Sequence, residues 1–352
     1  MPQKYDVAGL GNAIMDVIAA VDDGFLLQHG IAKGAMTLID EFRAQELHKA
    51  LGDSVAERGQ EKWSSGFPSG RATIKQEAGG SAANTMAGLA SLGARAVFLG
   101  KVRNDALGAR FGESLKSLGV DFTTAPAIGG SSTALSMIAV TPDGQRSMNT
   151  YLGACREMTP NDVDENEVIA AKILYIEGYL WDADAAKEAS RKAIRAAKKA
   201  GTKVALSLSD SFCVGRFRSE FLDLMAHELD ILFANEDEAK SLFETEDFDV
   251  VVEKMKAWGG LAAITRSAQG CVVIKGGEHH AVPAYPVAKV VDTTGAGDLF
   301  AAGFLYGLTH GKGLADCGRL GGLAAAEVIS HYGARPEKSL QQLATDAGLM
   351  QD

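Results

Sequence analysis

The sequence predicts an α/β fold in which a central, mostly parallel sheet is flanked by helices and accompanied by a smaller β-sheet. Three observations lead there. Short apolar runs of strand length alternate with segments whose apolar residues recur at helical spacing, from Val7 almost to the carboxyl end, and such alternation builds parallel sheets. Between Ser131 and Tyr151 the rhythm changes to β-rich residues around Pro142-Asp143-Gly144, a hairpin signal that a parallel sheet does not need. The chain has 352 residues, 46% of them hydrophobic and 23% charged, which is ample for a large core.

The elements follow in order. Residues 7–11 read as a buried strand, with Asn12 to Asp16 at its carboxyl end, where ligands gather in open α/β sheets. Gly9-x-Gly11 is not a dinucleotide fingerprint, because the third glycine is missing. Taken alone, Asn12 and Asp16 serve a turn or a ligand equally well. Residues 33–40 are extended, 41–51 helical, and 52–70, rich in glycine, serine and charge, form a surface excursion. Ala78-Gly79-Gly80-Ser81-Ala82-Ala83-Asn84-Thr85 opens a helix of small residues through Leu92-Gly93. Its paired glycines either admit a ligand to the backbone beside Asn84 or simply let the helix pack tightly. A strand at 95–100 precedes an amphipathic helix at 105–118, with Leu107, Phe111, Leu115 and Leu118 on one face. Residues 172–177 are a strand and 182–200 a helix, with Asp182 at its start, Lys198 and Lys199 in its last turn and Gly201 beyond. Strands at 203–208 and 230–233 are each followed by helical sequence. Strands at 261–265 and 271–275 flank the turn 266–270, and His279-His280 sits in a polar turn. A helix from Leu299 to about Leu308 is separated by Gly311-Lys312-Gly313 from an alanine-rich helix ending near His331. Ala325, Ala326 and Ile329 there offer a smooth wall to an adenine ring or to the sheet.

Composition excludes several functions. The formal charge of −10 and the lack of a dense basic block argue against nucleic acid as a partner. Cys155, Cys213, Cys271 and Cys317 are widely spaced, so reduced, buried thiols are expected and a zinc or disulfide framework is not. No apolar segment approaches the roughly 20 residues needed to span a bilayer, and no signal-peptide core opens the chain, so no membrane association and a cytoplasmic location are expected. There is no G-x-x-x-x-G-K-[ST], H-E-x-x-H or G-x-S-x-G.

The chemistry concentrates in Asp292-Thr293-Thr294-Gly295-Ala296-Gly297-Asp298. Two glycines and an alanine leave the backbone bare where a helix begins, so that N–H groups and the helix dipole can face one anion. Asp298, inside the first turn, can take a proton from a hydroxyl attacking a bound phosphate, or it serves only the helix dipole, with the glycines there for tight packing. Asn235 and Glu238, in Ala234-Asn235-Glu236-Asp237-Glu238, follow another strand; three acids there suit a helix N-terminus or a metal.

The run from Asp292 to Asp298 resembles the carboxy-terminal signature of the ribokinase-like (PfkB) family of carbohydrate and nucleoside kinases. Gly79-Gly80 with Asn84 resembles that family's amino-terminal G-G-x-x-x-N signature, and Gly11-Asn12 to Asp16 its G-N-x-x-x-D start. The resemblance implies a ribokinase-like fold, one α/β catalytic domain over 1–352, with a lid built from about 13–40, with or without 71–78, and from 126–155. It implies an ATP- and Mg2+-dependent kinase, with Asp298 as base and the Gly295-Ala296-Gly297 backbone as anion hole. Asn12, Asp16, Gly79, Gly80, Ser81 and Asn84 would hold the sugar. Asn235 and Glu238 would organise magnesium. Thr265, Gly270, Thr293, Thr294, Gly295, Gly297 and Ala325 would face the nucleotide, and Arg146 would reach a phosphate from the lid. Ser267 replaces the first glycine of the family's T-x-G-x-x-G turn, a departure from the pattern. K+ activation is a further family trait, with carbonyls near Asp292 and residues 330–333 in position for it. Both monomers and homodimers occur in the family.

Within it the chain looks most like the adenosine kinases, through Tyr175-Ile176-Glu177-Gly178-Tyr179-Leu180, the run from Leu206 to Asp210 followed by Phe212, and the run from Asp230 to Glu236. Ile14, Met36, Met137 and Tyr179 or Leu180 would wall a base. The expected activity is transfer of the ATP γ-phosphate to the 5′-hydroxyl of adenosine. The alternatives are a sugar kinase acting on ribose, fructose or keto-deoxygluconate, an inosine or guanosine kinase, and a catalytically silent nucleotide-binding regulator.

Overall fold

Strand alternation sorts the buried side chains of the main sheet into two cores. In a computed structural model, which describes residues 3–57, 74–143 and 145–350, nine strands form that sheet: β1 (Tyr5–Leu10), β5 (Ala96–Leu99), β6 (Val120–Phe122), β9 (Ala171–Glu177), β10 (Lys203–Ser207), β11 (Ile231–Asn235), β12 (Leu261–Thr265), β13 (Cys271–Lys275) and β14 (Glu278–Val282). Their order is β14-β13-β12-β11-β10-β9-β1-β5-β6. All neighbours from β6 to β12 run parallel, and β12-β13-β14 close one edge antiparallel. Ile173, Tyr175, Ala205, Ile231 and Phe233 point into one core, whereas Leu174, Ile176, Leu206, Leu232 and Ala234 point into the other, as the two-residue period of a strand requires.

Strand order reverses about β1, whose neighbours are β5 on one side and β9 on the other. The crevice at the carboxyl ends of β1 and β9 is therefore the expected ligand position. Asn12 and Glu177 lie there.

The second sheet has the order β3-β8-β7-β2-β4, from β2 (Ile14–Ala20), β3 (Met36–Leu38), β4 (Ile74–Gly79), β7 (Ala134–Val140) and β8 (Arg146–Tyr151). The hairpin expected between 131 and 151 is β7-β8, antiparallel with Val140 opposite Arg146; Gly144 of its turn lies outside the described residues. Asp16 is not a turn former: it sits within β2, directly opposite Glu77 of β4.

Helices expected at 105–118 and 182–200 are Ala106–Ser117 and Asp184–Ala200. The first is capped by Asp105, whose side chain accepts from Gly108 N, and the second ends on Gly201 at φ 78°, both ordinary helix signals. The helix at 41 runs to Glu57, so the excursion expected from 52 begins later, and its residues 58–70 lie outside the described residues. His279 and His280 are not in a turn but in β14, paired with Ile274 and Val273. The turn is Gly276-Gly277, and the edge position lets an exposed face carry histidines. All four cysteines are free and buried. Among the described residues no helix is long and apolar enough to cross a membrane.

Candidate active site

Two helices on the same face of the main sheet bring the predicted residues together. Ser81–Ser91 opens at Gly80 and Ala296–Thr309 opens at Gly295. They approach closely because Gly88 has no side chain: a Cβ there would lie 2.6 Å from Leu299 Cδ1 and 2.7 Å from the Ala302 Cβ. The consequence is a contact between their first turns, where Ser81 Oγ donates to Asp298 Oδ1 at 2.6 Å and Asn84 Nδ2 donates to Asp298 Oδ2 at 3.0 Å. Burial pushes the Asp298 pKa up, while Ser81, Asn84 and the charge of Arg335 pull it back. Part of its surface remains open to solvent.

The loop before this helix is fixed by Asp292. Its Oδ1 accepts from Thr294 N and Oγ1 at 3.0 and 2.8 Å, its Oδ2 accepts from Gly333 N at 3.0 Å and pairs with Arg146 of β8. Arg146, expected to reach a phosphate, is thus engaged by Asp292. Thr293 is exposed and Ala296 N donates to Thr293 O. Beyond its own helix and chain neighbours, nothing among the described residues lies within 4 Å of the place a Gly297 Cβ would take, so the helix start is open on that side.

Beside this lies a charged patch that joins the two sheets. Asp16 and Glu77 oppose each other across β2 and β4. Like charges in that position repel; burial, with Glu77 added, pushes Asp16 up to about 7, against the pull of Arg146 and Arg335. Asp16 lies close against Gly79. Glu177, at the end of β9 and buried, accepts from Asn12 N at 2.9 Å and from Ala82 N at 2.9 Å. It ties the loop after β1 to the helix carrying Ser81 and Asn84. Burial pushes it up to about 7.

Asn235 and Glu238 form a reciprocal cap on the helix Glu236–Phe243: Asn235 Oδ1 accepts from Glu238 N at 2.8 Å, and Glu238 accepts from Asn235 N at 3.0 Å and Nδ2 at 2.6 Å. The cap explains the spacing by itself. Burial nonetheless pushes Glu238 up to about 7, so a nearby cation would favour its carboxylate. Both oxygens are already hydrogen-bonded, which suits an ion held through water. Among the described residues no group of three or more His, Cys, Asp and Glu is arranged around a metal position.

Other expected residues are dispersed. Leu180 and Met137 are buried, one in the core cluster with Trp181 and the other in the core with Met15. Tyr179 is held by Ser209, whose Oγ accepts from its N–H at 3.3 Å. Ile14 is half-buried, and Met36, on β3, is exposed. Thr265 ends β12, and Gly270, at φ 87°, makes the close turn against β14. Ala325 packs against the core.

Two residues of the site have no role in the sequence reading. Glu177 is a charge ending an apolar strand, a signal that could have singled it out. Arg335, 8% exposed, donates from Nε to Asn84 Oδ1 at 2.9 Å; a single charge in Gly333-Ala334-Arg335-Pro336 carries no such signal.

The raised acids set a pH dependence. Asp16, Glu177 and Glu238 hold their protons to about pH 7 in the folded chain but only to about 4 when unfolded. Their contribution to stability is full below about pH 4 and is lost as pH rises through 7. The raised His331, paired with Glu327, acts in the same direction. The ligand-free melting temperature is expected to fall between pH 5 and pH 8, and Asp16→Asn to flatten that slope. A melting temperature that is constant or rises over this range contradicts the assignment.

A family model described as pfkB family carbohydrate kinase matches residues 62–340. A solved structure of the adenosine kinase from Sinorhizobium meliloti is 49% identical with TM-score 0.85, covering 98% of this chain and 99% of that one. A probable sugar kinase from Rhizobium etli CFN 42 is 46% identical with TM-score 0.86, covering 99% and 100%. A 5-dehydro-2-deoxygluconokinase of Halalkalibacterium halodurans is 30% identical over 272 residues, 74% of this chain and 82% of its own length. With this match over most of its length and with this fold, the chain belongs to the PfkB family of carbohydrate kinases and is an ATP-dependent kinase of a small-molecule sugar or nucleoside.

Proposed function

We infer that the chain phosphorylates the 5′-hydroxyl of adenosine. The observation that carries the chemistry is Asp298, held by Ser81 and Asn84 at the mouth of an open helix start. The choice of adenosine rests on the full-length likeness to the S. meliloti adenosine kinase. ATP with Mg2+, when bound, supplies the phosphoryl group and neutralises charge as it transfers. Gly295 to Gly297 would hold the phosphates on backbone N–H groups, with Asn235 and Glu238 organising the metal through water. Asn12, Asp16 and Gly80 would orient the sugar. Asp298 would take the proton of the 5′-hydroxyl on a carboxylate oxygen as the hydroxyl oxygen bonds to the γ-phosphorus and the bond from that phosphorus to the leaving ADP oxygen breaks. The second sheet acts as a lid of the single catalytic domain, excluding water from the transfer.

The second reading is a sugar or sugar-acid kinase. The 5-dehydro-2-deoxygluconokinase likeness favours it, as does the cationic pair Arg146 and Arg335 near Asp16. A coupled assay of ADP release across adenosine, inosine, guanosine, ribose, fructose, keto-deoxygluconate and 5-dehydro-2-deoxygluconate separates the readings. Adenosine is expected to give the highest kcat/KM. Turnover of free sugars or sugar acids without nucleosides overturns the proposal, and tight nucleotide binding with no turnover supports a silent regulator instead.

A further inference from the structure

Arg335 is a buried cation of the site whose hydrogen bonding is incomplete. Nε donates to Asn84 Oδ1, whereas Nη1 and Nη2 are buried and have no hydrogen-bond partner among the described residues. Leaving such donors dry is costly, and the charge is tolerated because Glu77, Asp16 and Asp298 surround it. Packed apolar side chains in place of the whole charged cluster would serve stability as well or better. The position therefore calls for a functional reason.

The geometry supplies one. An asparagine amide can present either end to its neighbours. Because Arg335 Nε claims Oδ1, Asn84 must turn Nδ2 toward Asp298. With the amide reversed, an oxygen would face the carboxylate and repel it. We propose that Arg335 is a positioning residue of the phosphoryl-transfer site: its Nε fixes Asn84 and thereby the Asp298 carboxylate, while Nη1 and Nη2 are donors for oxygen atoms of the acceptor substrate. Hydroxyl oxygens suit this place, since they can accept from Arg335 while donating to Asp16. The proposal rests on Asp298 being the base but not on which acceptor is used.

Full-length Arg335→Met and Arg335→Lys are compared with the unaltered protein, using whichever acceptor of the panel it turns over. The kcat of Arg335→Met is expected to fall on the order of 100-fold, the cost of a misplaced group, and acceptor affinity by calorimetry to fall about 10-fold. The titratable groups that face Asp298 are the cation Arg335 on one side and Asp16, Glu177, Glu238 and the phenols of Tyr175 and Tyr179 on the other. Removing the one cation raises the Asp298 pKa, so the acid limb of the kcat profile moves up by about one pH unit. Arg335→Lys keeps the charge without the Nε geometry: the limb stays in place while kcat still falls. Arg335→Met leaves Asp16, Glu77 and Asp298 without this cation, so its melting temperature is expected to fall, and kcat is read well below that melt.

An unchanged limb in Arg335→Met with kcat within twofold overturns the proposal. So does a lowered melting temperature that accounts for the lost activity while the limb stays fixed. If Arg335→Met does not fold, Arg335→Lys decides, because full kcat in that variant removes the positioning role. Unaltered affinity with lowered kcat removes the substrate contact and leaves the relay. Failure on adenosine alone, with another acceptor turned over, overturns the nucleoside reading and not this one.

Discussion

Asp298→Asn is expected to lower kcat by about 10²- to 10⁴-fold, the usual contribution of a positioned general base, with substrate binding and folding intact. The reason is in the hydrogen bonds around it. Asn84 must keep Nδ2 toward residue 298, because its Oδ1 is held by Arg335. An asparagine at 298 can answer with its carbonyl oxygen and turn its amide nitrogen to Ser81 Oγ, which changes from donor to acceptor. Both side-chain contacts of residue 298 can therefore be kept. The cost of burying a carboxylate, which raises the pKa of Asp298, also disappears, so the melting temperature is expected to hold or rise. What is lost is the capacity to take a proton. Steady-state ADP release and thermal melting of the same preparation make the measurement. Near-normal turnover removes Asp298 from the mechanism, whereas a collapse in melting temperature shows that its role is structural.

How much of this was legible in the chain depends on whether the signal is local. The helices at 106–117 and 184–200 carry their own caps and apolar faces. The first turns at Gly80 and Gly295 show as glycine pairs beside polar residues, and the parallel sheet shows as repeated apolar runs. By contrast β2 is an apolar run interrupted by Asp16, and β4, an edge strand of the small sheet, reads Ile-Lys-Gln-Glu-Ala-Gly. Neither alternates as an amphipathic strand should, because β2 turns an acid toward the site. Arg335 is further from legibility. Its partner Asn84 lies 251 positions away, and no local pattern marks a buried cation whose environment is made by three other segments. For Met137 and Leu180 the sequence is ambiguous, since apolar residues near a site fit a pocket or a core equally well, and both are buried in the fold.

Gly80→Ala is expected to be among the most damaging single-methyl changes in the molecule. Gly80 caps the helix carrying Ser81 and Asn84 at φ 95° and ψ 134°, a combination side chains avoid at a cost of about 1–3 kcal/mol. A Cβ there would also collide with the backbone carbonyl oxygen of Asn12, which cannot swing aside as a side-chain tip can. Asn12 N is itself tied to Glu177, and the other oxygen of Glu177 holds Ala82 N. The strain therefore spreads to the loop after β1 and to the helix start together. Destabilisation of about 3–5 kcal/mol is expected, within the range reserved for backbone strain and lost networks, together with loss of acceptor binding. Gly297→Ala is the matched control, since its φ is not positive and nothing lies within 4 Å of the added methyl group. That variant is expected to melt normally. If the open space above Gly297 receives phosphate oxygens, the methyl group raises the KM for ATP; if KM and kcat stay unchanged, the anion hole is elsewhere. Thermal melts and KM values for both substrates thus separate the glycine that the fold requires from the glycine that the reaction requires.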